Sequence, residues 1–156
     1  MGGRRVRYAL PFLLAPFALG ACQSVPEPAS ESFRETLNRH VAAIQSRDYQ
    51  GIVDTITKGD TLILIFPNGE RYDTREQFLA FHREWFADPA WVMVLEPVGV
   101  WEGRDYGYAL YRTSYDPDGA GPTPGRPAYL SLGFQLEDGQ WRLVHDQNTR
   151  IETAID

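Results

Sequence analysis

The sequence predicts a single α+β domain in which helices are followed by a mostly antiparallel sheet. Capping boxes at Ser32 and Thr74 each open a segment with helical apolar periodicity. The Asn68-Gly69 pair, between two apolar segments, is typical of a two-residue hairpin turn. After Pro89, long segments rich in aromatic and β-branched residues alternate with short turns. This order of elements is typical of domains that group their helices on one side of an antiparallel sheet.

Three helices are expected, each with one apolar face. The first begins after Ser32, Asp48 caps a second, short helix, and Thr74 caps the third, which ends at Asp88-Pro89. Their apolar faces consist of Phe33, Leu37, Val41 and Ile44, then Tyr49, Ile52, Val53 and Ile56, and finally Phe78, Phe81, Trp85 and Phe86.

The strands are predicted from apolar segments bounded by turns. The first two form the hairpin around Asn68-Gly69, and the other four follow the third helix. The longest loop, Asp116–Pro127, is dense in glycine and proline. The expected strands are Thr61–Phe66, Glu70–Tyr72, Trp91–Trp101, Tyr106–Tyr115, Ala128–Leu136 and Gln140–Ile151.

The element order and two sequence segments resemble a known family. Asp60–Gly69, the third helix and the closing Gly139–Gln147 are similar to the SnoaL-like branch of the nuclear-transport-factor-2-like (NTF2-like) fold. The resemblance implies that residues 32–156 form a cone-shaped roll, with three N-terminal helices against a curved, mostly antiparallel sheet. It also implies a conical pocket and pairing as a homodimer. The fold hosts enzymes and binding modules, so it does not assign a function.

The N-terminus has the pattern of an export signal. Three arginines precede the uncharged, mostly apolar Tyr8–Ala21, which is shorter than the roughly 20 residues that a membrane-spanning helix needs. Leu19-Gly20-Ala21-Cys22 resembles the lipobox cleaved by bacterial lipoprotein signal peptidase. We therefore expect residues 1–21 to be a lipoprotein signal peptide and Cys22 to be acylated. The alternative is an ordinary signal peptide that ends near a cysteine.

Lipidation of Cys22 predicts a location in the bacterial cell envelope, where the acyl chains bind the lipid bilayer. Residues 22–31, rich in Pro, Ser and Glu, are expected to form a flexible tether. Gln23 after the cysteine indicates the outer membrane, facing the periplasm, by the sorting rule of that family.

The charge balance excludes one class of partner. The chain has 15 basic and 21 acidic residues, and removal of Arg4, Arg5 and Arg7 with the leader leaves a net charge of −9. Nucleic-acid binding needs basic patches, so no nucleic-acid partner is expected. The same balance predicts no basic patch for anionic lipid headgroups.

Signatures of cofactor and metal chemistry are missing from the sequence. The three histidines do not have HxH or HExxH spacing, and neither a Gly-x-Ser-x-Gly elbow nor a phosphate loop occurs. We therefore expect no metal and no cofactor, and no catalytic residue is assigned.

Alternation along the last strand gives two pocket candidates. Strict alternation places His145 and Gln147 on one face and Asp146 on the other. In the resembling sequences, the residues at these two positions reach toward the pocket, and here Gln147 replaces a histidine. The alternative is that His145 is hydrogen-bonded within the sheet.

Arg112, Tyr108 and Trp85 complete the pocket candidates. Tyr108 and Arg112 share a strand face, and this strand is similar to one in the calmodulin-kinase association domain, where an arginine inside the cone pairs with a carboxylate. The alternative for Arg112 is an internal ion pair or a solvent-facing position. Five aromatic residues have two interpretations, as the wall of a cavity or as simple core packing: Trp85, Trp91, Trp101, Phe81 and Tyr129.

Three functions are compatible with the sequence. The first is non-catalytic binding of a small, partly apolar molecule, with or without a carboxylate. The second is an enzyme of the ketosteroid-isomerase or polyketide-cyclase kind, with Asp54, Asp60 or Glu96 as the acid. The third is a dimeric interaction module without a ligand.

Overall fold

The computed structural model describes residues 30–119 and 126–152. The expected leader, Cys22, the tether up to residue 29, the tip of the long loop and the last four residues lie outside this part. Within it, the elements are α1 (Phe33–Ser46), α2 (Tyr49–Thr55), β1 (Thr61–Ile65), β2 (Arg71–Thr74), α3 (Arg75–Ala87), β3 (Val92–Glu102), β4 (Tyr106–Asp116), β5 (Arg126–Glu137) and β6 (Gln140–Arg150).

The described strands form one mixed, curved sheet in the order β2-β1-β6-β5-β4-β3. All neighbours are antiparallel except β1 and β6, which pair in parallel. The predicted α+β class and mostly antiparallel sheet are therefore confirmed. Two helices precede the sheet, whereas α3 follows the β1–β2 hairpin.

All three predicted helix starts are confirmed by their capping hydrogen bonds. The Ser32 hydroxyl accepts from the backbone N–H of Glu35 at 3.3 Å, and Thr74 makes the equivalent bond to Gln77 at 3.2 Å. The Asp48 carboxylate accepts from the Gly51 N–H at 3.0 Å. Each side chain satisfies an N–H that the first helical turn leaves without a partner.

The core lies between the helices and one face of the sheet, which we call the inner face. Phe33 of α1 is fully buried and packs edge-on against Phe134 of β5, with ring centroids 5.6 Å apart. Gly107 of β4 lies beneath the same ring, and a Cβ there would stand 2.5 Å from it. The absence of a side chain at this position lets α1 approach the sheet closely.

One irregularity in β6 changes which residues face the core. Leu132 pairs with Asp146 and Gly133 with His145, but Phe134 then pairs with Leu143, so Val144 is an extra residue in β6. Such a β-bulge shifts the alternation of side chains by one. Leu143 and Asp146 are therefore both buried, although they are three residues apart.

Among the described helices, none combines the length and the apolar composition that crossing a bilayer requires.

Candidate functional site

A cavity of about 380 Å³ lies between α3, the β1–β2 hairpin and the inner face of β3–β6. Its walls are mostly apolar, and a few polar side chains from β4–β6 and the hairpin interrupt them. The lining includes Phe66, Glu70, Phe81, His82, Trp85, Arg126, Asp146, Asn148 and Arg150. A cavity of this kind is typical of small-molecule sites.

Aromatic rings form one wall of the cavity. The rings of Phe81 and Trp85 on α3 stack 5.6 Å apart, and Phe66 meets Phe81 edge-on at 4.9 Å. Behind this wall, the ring of the buried Trp91 stacks on Trp85 at 4.4 Å, and the guanidinium of Arg47 covers Trp91. The wall is supported from behind, so its rings are held in fixed positions for an apolar or aromatic ligand.

Three polar residues of β6 line the cavity from its depth to its mouth. Asp146 is buried beside Leu132, Asn148 pairs with Leu130, and Arg150 is exposed at the end of the strand. The Asn148 amide donates to the Asp146 carboxyl at 3.0 Å. With about 3.3 Å per residue, the backbones of Asp146 and Arg150 lie about 13 Å apart.

The buried carboxyl of Asp146 is the most perturbed acid of the site. Burial disfavours its charged form and raises its pKa to about 7, against the smaller lowering effect of the Asn148 hydrogen bond. Among the described residues, no cationic nitrogen lies within 4.0 Å of this carboxyl. Asp146 can therefore donate or accept a proton near neutral pH.

His82 contributes a neutral imidazole to the same cavity. Its Nδ1 lies 2.9 Å from the carbonyl oxygen of Phe78, and because a carbonyl only accepts, Nδ1 carries the proton. Burial lowers the His82 pKa to about 4. No hydrogen bond reaches Nε2 from the described residues, which leaves this nitrogen as an acceptor for a ligand.

The mouth of the cavity carries two cations and one carboxylate. Arg126 and Arg150 are exposed on adjacent strands, and neither lies within 4.0 Å of a carboxylate among the described residues. Glu70, on the opposite hairpin, accepts from the Asn68 amide at 2.9 Å. The mouth therefore has a net positive charge and suits an anionic group.

The pocket candidates from the sequence divide between the two faces of the sheet. Trp85 lines the cavity. Arg112 is a correction: it is exposed on the outer face, opposite Glu96 and Tyr129, because the inner residues of β4 are the odd-numbered ones. Tyr108 shares this outer face and donates to the Ser131 hydroxyl at 3.0 Å.

His145 and Gln147 are corrections as well. Both lie on the outer face, where His145 pairs with Gly133 and Gln147 with Ser131. Strict alternation placed them inside, but the extra residue Val144 reverses the direction of every later side chain in β6. The same reversal brings Asp146 into the cavity, and sequence reasoning missed it.

The other candidates of the sequence lie away from the cavity. Asp54, Asp60 and Glu96 are exposed and do not line it. Trp101 and Tyr129 are exposed on the outer face, opposite Tyr108 and Arg112. In residues 30–119 and 126–152, no three histidine, cysteine, aspartate or glutamate side chains converge as a metal site requires.

Asp146→Asn is expected to stabilise the protein at alkaline pH. The folded-state pKa of Asp146 lies above its unfolded value, so ionisation costs stability as pH rises from about 4 to 7. The quantity to compare is the unfolding free energy of the variant minus that of wild type. This difference should be on the order of 3 kcal/mol larger at pH 8 than at pH 4.5. Denaturant unfolding at both pH values measures this gain. The control is Asp105→Asn, which replaces an exposed acid. If Asp146→Asn changed the unfolding free energy equally at both pH values, the burial of a neutral carboxyl at this position would be contradicted.

Comparisons with solved structures show the fold. A domain from Thiobacillus denitrificans, named for the calcium/calmodulin-dependent protein kinase type II association domain, matches with a TM-score of 0.69 at 16% identity, covering 81% of this chain and 100% of its own. A Streptomyces avermitilis protein, named for a dehydratase of the NTF2-like family, matches with a TM-score of 0.64 at 12% identity, covering 77% and 94%. An NTF2-like protein from Cytophaga hutchinsonii matches with a TM-score of 0.59 at 18% identity, covering 78% of this chain and 100% of its own.

No curated protein matches the sequence significantly. The sequence profile of the SnoaL-like domain matches residues 34–148, which is most of the chain and reaches every strand of the cavity. The resemblance drawn from the closing strand and the element order is thereby confirmed at the level of family and fold. The chain belongs to the SnoaL-like domain family.

Proposed function

We propose that the domain binds a small, partly apolar molecule that carries a carboxylate. The observation that carries the proposal is the cavity itself, in which aromatic walls connect a buried carboxyl, Asp146, with the cationic mouth at Arg126 and Arg150. SnoaL-like and NTF2-like domains form a fold that accommodates small-molecule ligands. This supports the proposal without naming a ligand.

The arrangement specifies the parts of the ligand. A carbonyl or hydroxyl at the deep end would bond to Asp146 and to the free Nε2 of His82. The middle would lie on Phe81 and Trp85, where apolar or aromatic groups gain from leaving water. A carboxylate about 13 Å from Asp146, four strand residues along, would meet Arg150.

Aryl and alkyl carboxylic acids should bind, and Arg150→Gln should weaken them about tenfold, as expected for the loss of a charged hydrogen bond. The matching carboxamides should bind wild type and Arg150→Gln equally. Ligand-induced shifts in thermal unfolding of the full chain measure these affinities. Arg112→Gln, on the outer face, is the matched control. Equal affinity of acids for all three proteins, or no ligand for the folded chain, would contradict the proposal.

A second candidate function is proton transfer on the bound molecule. It is favoured by one observation, the buried Asp146 with a pKa of about 7 inside the cavity, because a general acid or base works best near the ambient pH. Exchange of carbon-bound protons of a ligand with deuterated solvent, followed by NMR, tests it. An enzyme should lose exchange in Asp146→Asn while still binding, whereas a binding module shows no exchange in either protein.

We propose that Cys22 is acylated and anchors the domain in the bacterial cell envelope, facing the periplasm from the outer membrane. The lipobox-like Leu19–Cys22 supports this. Ser30 donates from its backbone N–H to the Gly139 carbonyl at 2.9 Å, so the tether joins the domain at the β5–β6 turn. Arg150 lies at the opposite end of β6, and the mouth of the cavity would therefore open away from the membrane.

Cys22→Ser should move the protein from the membrane fraction to the soluble fraction and abolish labelling with a fatty-acid analogue. Acyl chains on this cysteine would be the only anchor that the sequence predicts, so their loss should be sufficient. Cell fractionation and metabolic labelling measure the change. Gln23→Ala, next to the cysteine, is the control for labelling, and retention of label in Cys22→Ser would refute the assignment.

We propose that the outer face pairs two copies of the chain. Within the described residues, the exposed large apolar side chains all lie on strands β3–β5: Val92, Val94, Val98, Trp101, Tyr106 and Tyr129. Apolar patches of this kind mark interaction surfaces. Trp101 is 55% exposed and its ring packs at a tilt against Tyr108, so its replacement by a charge should disrupt the pairing.

Trp101→Glu is expected to convert a dimer into a monomer. Burying an unpaired carboxylate in an apolar interface costs more than the interface gains at that position. Sedimentation velocity of the full chain in detergent measures the change in mass. Ala80→Glu, at an exposed position of α3, is the matched control. A monomeric wild type at micromolar concentration would contradict the pairing.

A further inference from the structure

A second pocket, of about 430 Å³, lies between α1, α2 and the beginning of β6, away from the cavity mouth. Unlike the first cavity, its lining is dominated by charged and polar side chains. Four cations and two carboxylates face it: Arg39, Lys58, Arg75, Arg142, Glu31 and Asp54. The formal charge of the lining is therefore +2, in a chain whose total charge is −6.

The two carboxylates of this pocket are already engaged. Glu31 pairs with Arg39 at 2.8 Å and also accepts from the Thr36 hydroxyl at 3.2 Å. Asp54 accepts from the Gln50 amide at 2.8 Å. The side-chain nitrogens of Lys58, Arg75 and Arg142 have no carboxylate within 4.0 Å among the described residues. The backbone N–H of Lys58 donates to the Glu137 carboxylate at 3.4 Å.

Arg142 is the most unusual of these cations because it is only 7% exposed. Its guanidinium donates to the backbone carbonyl of Asp54 and to the side-chain oxygen of Gln140, which are both neutral acceptors. A buried charge without a counter-charge is costly, and buried arginines are normally paired. The described part of the chain does not supply that counter-charge.

We propose that this pocket binds a phosphate group, with Arg142 as the buried contact, Arg75 as a half-buried one and Lys58 as an exposed one. A guanidinium fork matches phosphate oxygens geometrically, and a lysine adds a mobile charge. Folding brings these residues together from widely separated positions in the sequence. They form a locally cationic lining in a chain whose net charge is negative.

The position of the pocket allows two sources of phosphate. Ser30 lines it, and the eight residue steps from Cys22 to Ser30 span about 26 Å when extended at about 3.3 Å each. If Cys22 is anchored as proposed, the headgroup of a bilayer phospholipid lies within reach. Free phosphate reaches the pocket whether or not the chain is anchored, so the site does not depend on the proposed function of the first cavity.

Inorganic phosphate should raise the unfolding temperature of the full chain in nonionic detergent, with saturation, whereas chloride at equal ionic strength should not. Lys58→Gln and Arg75→Gln should each weaken phosphate binding about tenfold, as expected for a lost charge-assisted hydrogen bond. Lys58 is exposed, so Lys58→Gln should remain folded even if Arg142→Gln does not. Arg75 is half-buried and also donates from Nε to the Thr57 carbonyl at 2.9 Å. Arg34→Gln, an exposed arginine of α1 outside the pocket, is the matched control.

A water-soluble, short-chain phosphatidylglycerol identifies the source. Tighter binding of this lipid than of inorganic phosphate assigns the pocket to a headgroup, and the reverse order assigns it to free phosphate. Either result supports the site only if Lys58→Gln and Arg75→Gln weaken binding of the compound that binds more tightly. No saturable shift with either compound, or equal shifts in wild type and both variants, overturns the proposal.

Discussion

The cavity depends on the β-bulge at Val144, where β6 carries one residue more than its partner β5. Before the bulge, Leu143 faces the core, and after it Asp146 does so, because the extra residue shifts the alternation. Without this shift, the inner face at the bottom of the cavity would carry His145, and Asp146 would face solvent. One backbone irregularity thus decides which polar groups a ligand would meet.

Burial shifts the pKa of His40, His82 and Asp146 toward their uncharged forms. Burial lowers the pKa of His40 to about 3 and of His82 to about 4, so both imidazoles are neutral. The folded-state pKa of each histidine lies below its unfolded-state pKa. Both histidines therefore lower the unfolding free energy as pH falls below about 6.5. Asp146 acts in the opposite sense, because its raised pKa removes stability as pH rises toward 7. The domain therefore retains an acid that costs stability at the bottom of its cavity, as functional sites often do.

The local elements were predictable because their signals are local. The capping boxes at Ser32 and Thr74 determine hydrogen bonds within three residues, and both helices begin there. The hairpin also forms, but its turn is a correction: the Gly69 N–H donates to the Phe66 carbonyl, so the turn is centred on Pro67-Asn68 and not on Asn68-Gly69. The family resemblance was also readable, since it rests on element order and on the closing strand. The face of each strand was not predictable in this way. It depends on register and bulges, which are set by pairing between distant segments, and so Arg112 and His145 were placed inside the cavity although they lie outside it.

The aromatic wall illustrates the same division. Helical spacing puts Phe81 and Trp85 on one face of α3, and that face does line the cavity. Trp91 lies just before β3 and is buried, whereas Trp101 lies in β3 and is exposed. The burial of both depends on tertiary packing. Composition identified the aromatic residues, but only the fold separated the cavity wall from the core and from the outer face.

The most direct test of this account is the pKa of the Asp146 carboxyl, measured by carbon-13 NMR of the full chain with Asp146→Asn to assign the resonance. We expect a midpoint near 7, because the bulge buries this carboxyl away from any cation among the described residues. A midpoint near the ordinary aspartate value of about 4 would mean that Asp146 is solvated, and would contradict both the bulge-directed cavity and the function proposed for it.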